Sequence, residues 1–139
     1  MTTRGLFVAV AIGMVTLTTP TSSVSQGGMR PLPADLSGTY SAAGTGPNGT
    51  YTVTTEITKH GDVYEVRWTF PRGDGMVGIG FVDGDRFIVG YDGGTPGVSV
   101  YWATSARPLT LDGRYAGWGF ATTYGERMVK GPPALQAAR

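Results

Sequence analysis

No cysteine occurs in this chain, histidine occurs once, and only 15% of the residues are charged. The missing cysteines exclude a disulfide scaffold. Long runs of Glu, Lys and Leu are absent, which removes a coiled coil, and glycine does not recur at every third position, which removes a collagen-like chain. No G-x-S-x-G elbow, S-x-x-K pair or H-E-x-x-H pair is present, so the short signatures of several hydrolase classes are missing. An enzyme would have to work through carboxylates, Ser, Tyr or Lys, and no pair of these stands out. The expectation is a non-enzymatic protein with no cofactor and no bound metal. Charge of one sign is also missing: 11 Lys and Arg stand against 10 Asp and Glu. Without a basic excess or a polybasic segment, neither nucleic acid nor a charged membrane surface is an expected partner.

What the chain does have is 23 glycines, 9 prolines and 11% aromatic residues in 139. That composition suits one small domain of short strands joined by tight turns. The N-terminus is separate. Arg4 precedes the apolar run Leu6 to Leu17, which is followed by small polar residues and Pro20. A run of about a dozen residues is shorter than the ~20 needed to cross a bilayer as a helix, and its order is that of a secretory signal peptide. Ser23 and Ser25 supply small residues before a cut, giving a signal over residues 1–25. With no cysteine after the run, N-terminal lipidation is not expected. The mature chain is expected to be free in a periplasm or outside the cell. It would carry equal numbers of basic and acidic residues once Arg4 is gone.

Residues 26–35, rich in Gly and Pro, read as a flexible lead, and residues 131–139, beginning Gly-Pro-Pro, as a loose tail. Between them, 36–130 form the domain. Its β-prone stretches are Leu36–Ala43, Thr50–Thr58, Val63–Phe70, Met76–Val82, Arg86–Tyr91, Val98–Thr104, Leu109–Trp118 and Ala121–Val129. Alternation is clearest where Tyr51, Val53 and Ile57 share one face, and where Tyr64, Val66, Trp68 and Phe70 share another. His60-Gly61-Asp62, Asp83-Gly84-Asp85 and Asp112-Gly113 read as hairpin turns. About eight consecutive strands without an intervening helix predict an all-β, antiparallel up-and-down barrel, with a two-sheet β-sandwich as the alternative.

The phrases Leu36-Ser37-Gly38-Thr39-Tyr40, Gly44-Thr45-Gly46-Pro47-Asn48-Gly49, Gly61 to Trp68, Val77-Gly78-Ile79-Gly80, Leu111-Asp112-Gly113-Arg114-Tyr115 and Gly125-Glu126 resemble a family of small secreted bacterial β-barrel proteins. Some of that family's members are labelled fibronectin-binding. The broad shape is similar to avidin and lipocalin barrels. The resemblance spans nearly all of the mature chain and implies a barrel fold and a binding role.

Several short motifs offer chemistry. Gly44, Gly46 and Gly49 satisfy G-x-G-x-x-G, but Pro47-Asn48-Gly49 leads into a strand where a dinucleotide loop needs a helix. His60 falls in a turn. Asp83 and Asp85 offer too few oxygens for Ca²⁺. Arg72-Gly73-Asp74 resembles the tripeptide of integrin ligands and would sit at a hairpin tip. Arg67, Arg86, Arg114 and Arg127 read as solubilising charges on outer faces. Of the aromatics, Tyr40, Tyr51, Tyr64, Trp68, Phe70, Phe87, Tyr91, Trp102 and Tyr115 are expected to line the barrel interior, either filling it or leaving room for one small ligand. Trp118 is out of phase with Tyr115. It points outward with Phe120 and Tyr124 as an aromatic patch, or returns to the core through a bulge at Gly117. The candidate binding residues are therefore Trp68, Tyr91, Trp102, Tyr115, Trp118, Phe120 and Tyr124, with Arg72, Gly73 and Asp74. Two functions follow: a monomeric module that binds an extracellular or envelope macromolecule, or a carrier with a small apolar ligand inside the barrel.

Overall fold

The computed structural model describes residues 28–131; the expected signal peptide and the tail beyond Gly131 lie outside them. Eight strands follow one another: β1 (Gly38–Gly46), β2 (Gly49–His60), β3 (Val63–Thr69), β4 (Gly75–Asp83), β5 (Arg86–Asp92), β6 (Pro96–Ala106), β7 (Leu109–Gly117) and β8 (Tyr124–Lys130). Each pairs antiparallel with the next, and β1 pairs with β8 through Tyr40–Lys130 to Gly44–Glu126, closing the sheet into a barrel. That closure leaves no unpaired edge, which is what separates a barrel from a sandwich. The largest boundary differences from the sequence reading are three residues each: β1 runs on to Gly46 and not Ala43, and β8 begins at Tyr124 and not at Ala121.

Period-two alternation decides what faces inward. On β3, Tyr64, Val66 and Trp68 are buried while Val63, Arg67 and Thr69 are exposed. β4 inverts the usual pattern, with Val77, Ile79 and Phe81 on the outside and 51%, 69% and 49% exposed. Its inward positions are Gly78 and Gly80, because Trp68, Val89 and Phe87 already occupy the space a Cβ would need. Gly61 and Gly84, with φ of +62° and +61°, open the two-residue loops after β2 and β4, the glycine-first arrangement that suits a tight hairpin.

The two ends of the barrel differ. At the end carrying the β2–β3, β4–β5 and β6–β7 turns, the stretch before β1 crosses the opening. The Arg30 amide donates to the Ala103 carbonyl at 2.9 Å, and Lys59 Nζ donates to the Ala34 carbonyl at 2.9 Å. Leu36 is fully buried, and the Tyr40 hydroxyl donates to its carbonyl at 2.6 Å. The part of the expected lead from Arg30 onward is thus held against the barrel, since Leu32 and Leu36 have an apolar interior to pack on. Below them Tyr40, Ile57, Tyr64, Val66, Phe87, Val89, Leu111 and Met128 form one closed core. The other end, with the β1–β2, β3–β4, β5–β6 and β7–β8 turns, is where the candidate site lies.

Within that core Thr55 Oγ1 is buried without a hydrogen-bond partner. A hydroxyl in that position costs stability that an isosteric methyl does not. Thr55→Val is expected to raise the stability by about 1 kcal/mol, read as an increased midpoint in urea unfolding at unchanged slope.

Candidate functional site

A single row of residues crosses five strands in register. Tyr51 on β2 pairs with Gly44 on β1, Gly44 with Glu126 on β8, Glu126 with Gly113 on β7, and Gly113 with Tyr101 on β6. All five positions face inward. The two glycines explain the geometry of the two tyrosines. A Cβ on Gly113 would overlap the Tyr101 ring, and one on Gly44 would lie 2.5 Å from the Tyr51 hydroxyl. With both side chains absent, each tyrosine lies flat across its neighbouring strand and reaches the carboxylate between them. Tyr51 donates to Glu126 Oε2 at 2.6 Å, and Tyr101 donates to Oε1 at 2.7 Å. Trp68 Nε1 adds a longer bond to Oε1 at 3.4 Å. Glu126 is only 6% exposed, so these donors replace the water that a buried carboxylate has lost.

Burial raises the Tyr101 and Tyr51 phenols above the ordinary tyrosine range, and the Glu126 charge pushes in the same direction. Both therefore remain protonated donors at neutral pH. The neighbouring cation is turned away from this cluster. Arg127 lies on the outer face and pairs with Asp112, its Nε 2.6 Å from Oδ1, and that contact holds the Asp112 carboxyl below its usual value.

Above the row lies a cavity of about 320 Å³. Glu126, Tyr101 and Ser99 lie among its lining, and Phe70, Tyr51, Tyr115, Tyr91 and Trp68 form a wreath of rings around it. Successive rings in this wreath are tilted by 59°, 73°, 69° and 65°, with centroids 5.9–6.4 Å apart. Phe120 closes one side over Gly117. Tyr115 is tied across the mouth by its hydroxyl, which donates to the Thr45 carbonyl at 2.6 Å. Tyr91 is tied by a 3.2 Å bond to the Ala116 carbonyl. The turn residues Pro47 and Asn48 form another part of the rim.

Of the residues singled out from the sequence, Trp68, Tyr91, Tyr115 and Phe120 meet at this cavity. Tyr124 packs behind Tyr115 and Phe120, at 5.9 and 5.6 Å between centroids. Trp102 does not line the interior. Ser99, Tyr101 and Ala103 occupy the inward phase of β6 and place Trp102 on the outer face. Trp118 is 83% exposed. No register shift occurs at Gly117; the irregularity of this strand pair falls at Ala103/Ser105. Arg72, Gly73 and Asp74 occupy the exposed β3–β4 turn, closed by Gly73 and Phe70 amide bonds to Phe70 and Asp74 carbonyls at 2.8 Å. That turn is four strands from the β7–β8 turn bearing Trp118, hence on the opposite side of the mouth. Gly44, Gly46 and Gly49 belong to the β1–β2 hairpin with no helix after them. His60, Asp83 and Asp85 are exposed, and no cluster of three potential metal ligands exists among the described residues.

The sequence reading missed the centre of the site, Glu126, and its donor Tyr101. The usable signal was a carboxylate in the same strand phase as Met128.

No family model matches this chain, and no curated protein matches it significantly. Among solved structures, one described as EF1p2_mFAP2b bound to DFHBI aligns with a TM-score of 0.45 and 16% identity, over 70% of this chain and 94% of that one.

Two expectations follow from the row. Gly113→Ala forces Tyr101 off Glu126 and should cost roughly 1–3 kcal/mol of stability. Gly125→Ala, on the adjoining outward position where a Cβ meets nothing closer than 3.9 Å, should stay within about 0.5 kcal/mol; denaturant unfolding of both variants checks this. The second concerns pH. Because folding raises the Tyr101 phenol, its contribution is fully present below about pH 10 and is lost as the pH rises above that value. Tyr101→Phe should therefore remove about 1.4 kcal/mol in total of the stability lost between pH 9 and pH 11, measured by unfolding across that range (about one unit either side of the free phenol value).

Proposed function

We propose that this protein binds a small, largely apolar organic molecule in the open end of the barrel. The observation that carries the reading is the combination of an aromatic cavity with one fixed polar anchor beneath it. Wall residues supply apolar area and ring faces, and Glu126 fixes orientation, the division of labour usual in small-molecule sites. A volume of about 320 Å³ lies at the small end of such sites. The ligand is accordingly modest in size. The anchor is pre-formed, since all three donors hold the carboxylate before any ligand enters, and little ordering remains to be paid on binding.

Binding without chemical conversion is part of the same reading. The ionisable groups in the cavity are one carboxylate already surrounded by donors and tyrosines held in their protonated form, with no base and nucleophile placed together. Export of the protein, and its kinship with the small secreted barrels it resembles, belong to this proposal: an extracellular or periplasmic carrier. An adhesion module would have to use the Arg72-Gly73-Asp74 tip or Trp118, which stand on opposite sides of the mouth and form no common surface. The built cavity favours the carrier.

The three tryptophans give a direct test. In the Trp102→Phe, Trp118→Phe double variant both outer indoles are gone and Trp68 alone reports from the cavity. Titration with the neutral dye Nile red should change Trp68 emission saturably at one dye per chain, while dye fluorescence rises. Emission that does not change, or changes linearly without saturation, would overturn the reading.

A further inference from the structure

We propose that the molecule bound in this cavity carries a protonated amine, which sits inside the wreath of rings and donates a hydrogen bond to Glu126. The inference rests on the reading of the cavity as a small-molecule site and adds its chemical class.

The starting point is an unbalanced charge. Glu126 is 94% withdrawn from solvent, yet its three partners, Tyr51, Trp68 and Tyr101, are all neutral donors. Among the described residues no lysine, arginine or histidine lines the cavity or pairs with Glu126. The one cation next to it in sequence, Arg127, is engaged with Asp112 on the other side of the barrel wall. A buried carboxylate is normally paired with a positive group, because neutral hydrogen bonds offset only part of its lost hydration. Here the position from which such a group would approach is the cavity itself.

Two features of the cavity suit an ammonium group. The first is the hydrogen bonding of the carboxylate. An ionised carboxylate has about four acceptor positions. Oε1 uses two, for Tyr101 and Trp68, whereas Oε2 uses one, for Tyr51. One position on Oε2 is left for a ligand donor. The second is the wall. Phe70, Tyr51, Tyr115, Tyr91 and Trp68 surround the space as tilted rings and not as a flat stack. A π face attracts a cation within roughly 6 Å, and the attraction grows when the cation is desolvated. Rings and carboxylate acting together recognise a positive nitrogen with an apolar body. An anionic ligand meets the opposite: a fixed negative charge and electron-rich faces, with no cation to receive it.

The test compares three probes of similar size on the unaltered full-length domain. Phenethylamine is cationic at neutral pH, phenethyl alcohol is neutral but still a hydrogen-bond donor, and phenylacetate is anionic. Each is titrated against bound Nile red. Displacement by phenethylamine should need at least tenfold lower concentration than displacement by phenethyl alcohol, with phenylacetate weakest. In Glu126→Gln the amine should lose that advantage while the alcohol changes little. An alcohol equal to or better than the amine, or no displacement by the amine, overturns the cationic ligand and leaves the cavity reading standing. Failure of Nile red to bind at all overturns both. Should Glu126→Gln not fold, the order of the three probes on the unaltered protein decides the matter by itself.

Discussion

Everything at the open end depends on satisfying one buried carboxylate inside an apolar barrel. Glu126 manages this through tyrosines that come from two strands away on either side. Those rings can reach it only because the intervening positions are Gly44 and Gly113. The arrangement is also a statement about register. Side chains alternate across a strand, so a slip of one residue between β8 and either neighbour would turn Glu126 to solvent and bring an outward residue in. Such a slip would strand two buried phenols without their acceptor. Barrel closure and the polar row therefore enforce one another.

The row divides the interior into two halves with different work. On the side of the N-terminal crossing, Leu36, Tyr40, Phe87 and Leu111 are fully buried, and that burial supplies the stability a small domain without disulfides requires. On the other side the same number of strands encloses aromatic rings that meet one another at a tilt, with centroids 5.9–6.4 Å apart. Their hydroxyls are used up on the frame: Tyr115 on Thr45, Tyr91 on Ala116, Tyr51 and Tyr101 on Glu126. Rings whose polar tips are already bonded to the frame have little freedom to collapse, a favourable condition for a pre-organised site.

Glycine has two separate roles in this chain. At Gly61 and Gly84 it supplies the positive φ of tight hairpins. At Gly44, Gly78, Gly80, Gly97 and Gly113 it supplies room, since a Cβ at any of them would collide with an aromatic ring or with the strand alongside. The inverted β4 follows from the second role, with its large apolar residues forced outward by the glycines that make space within.

Much of the architecture was legible in one dimension. Period-two alternation and the Gly-Asp turns at Gly61-Asp62 and Gly84-Asp85 marked strands and hairpins because those signals act between residues close in sequence, whereas Asp112-Gly113, read as a turn, lies in the middle of β7, where Gly113 makes room for Tyr101. The inward course of Tyr64, Val66 and Trp68 could be read in the same way. Adjacent aromatics were different. Tyr101 and Trp102 are equally apolar neighbours, and only the register of β6 against β5 and β7 put the first inside and the second outside. Trp118 offered two orientations until the continuous pairing of β7 through Gly117 placed it outside. Glu126 was least visible of all. Nothing near it in sequence shows that Tyr51, 75 residues away, and Tyr101, 25 residues away, donate to it, since that meeting exists only once β1 closes on β8. The sequence by itself thus determined which segments are strands and where the chain turns, both local properties of the backbone. The tertiary structure decided which side chains share an interior and which carboxylate lies there among neutral donors alone, because long-range register sets both.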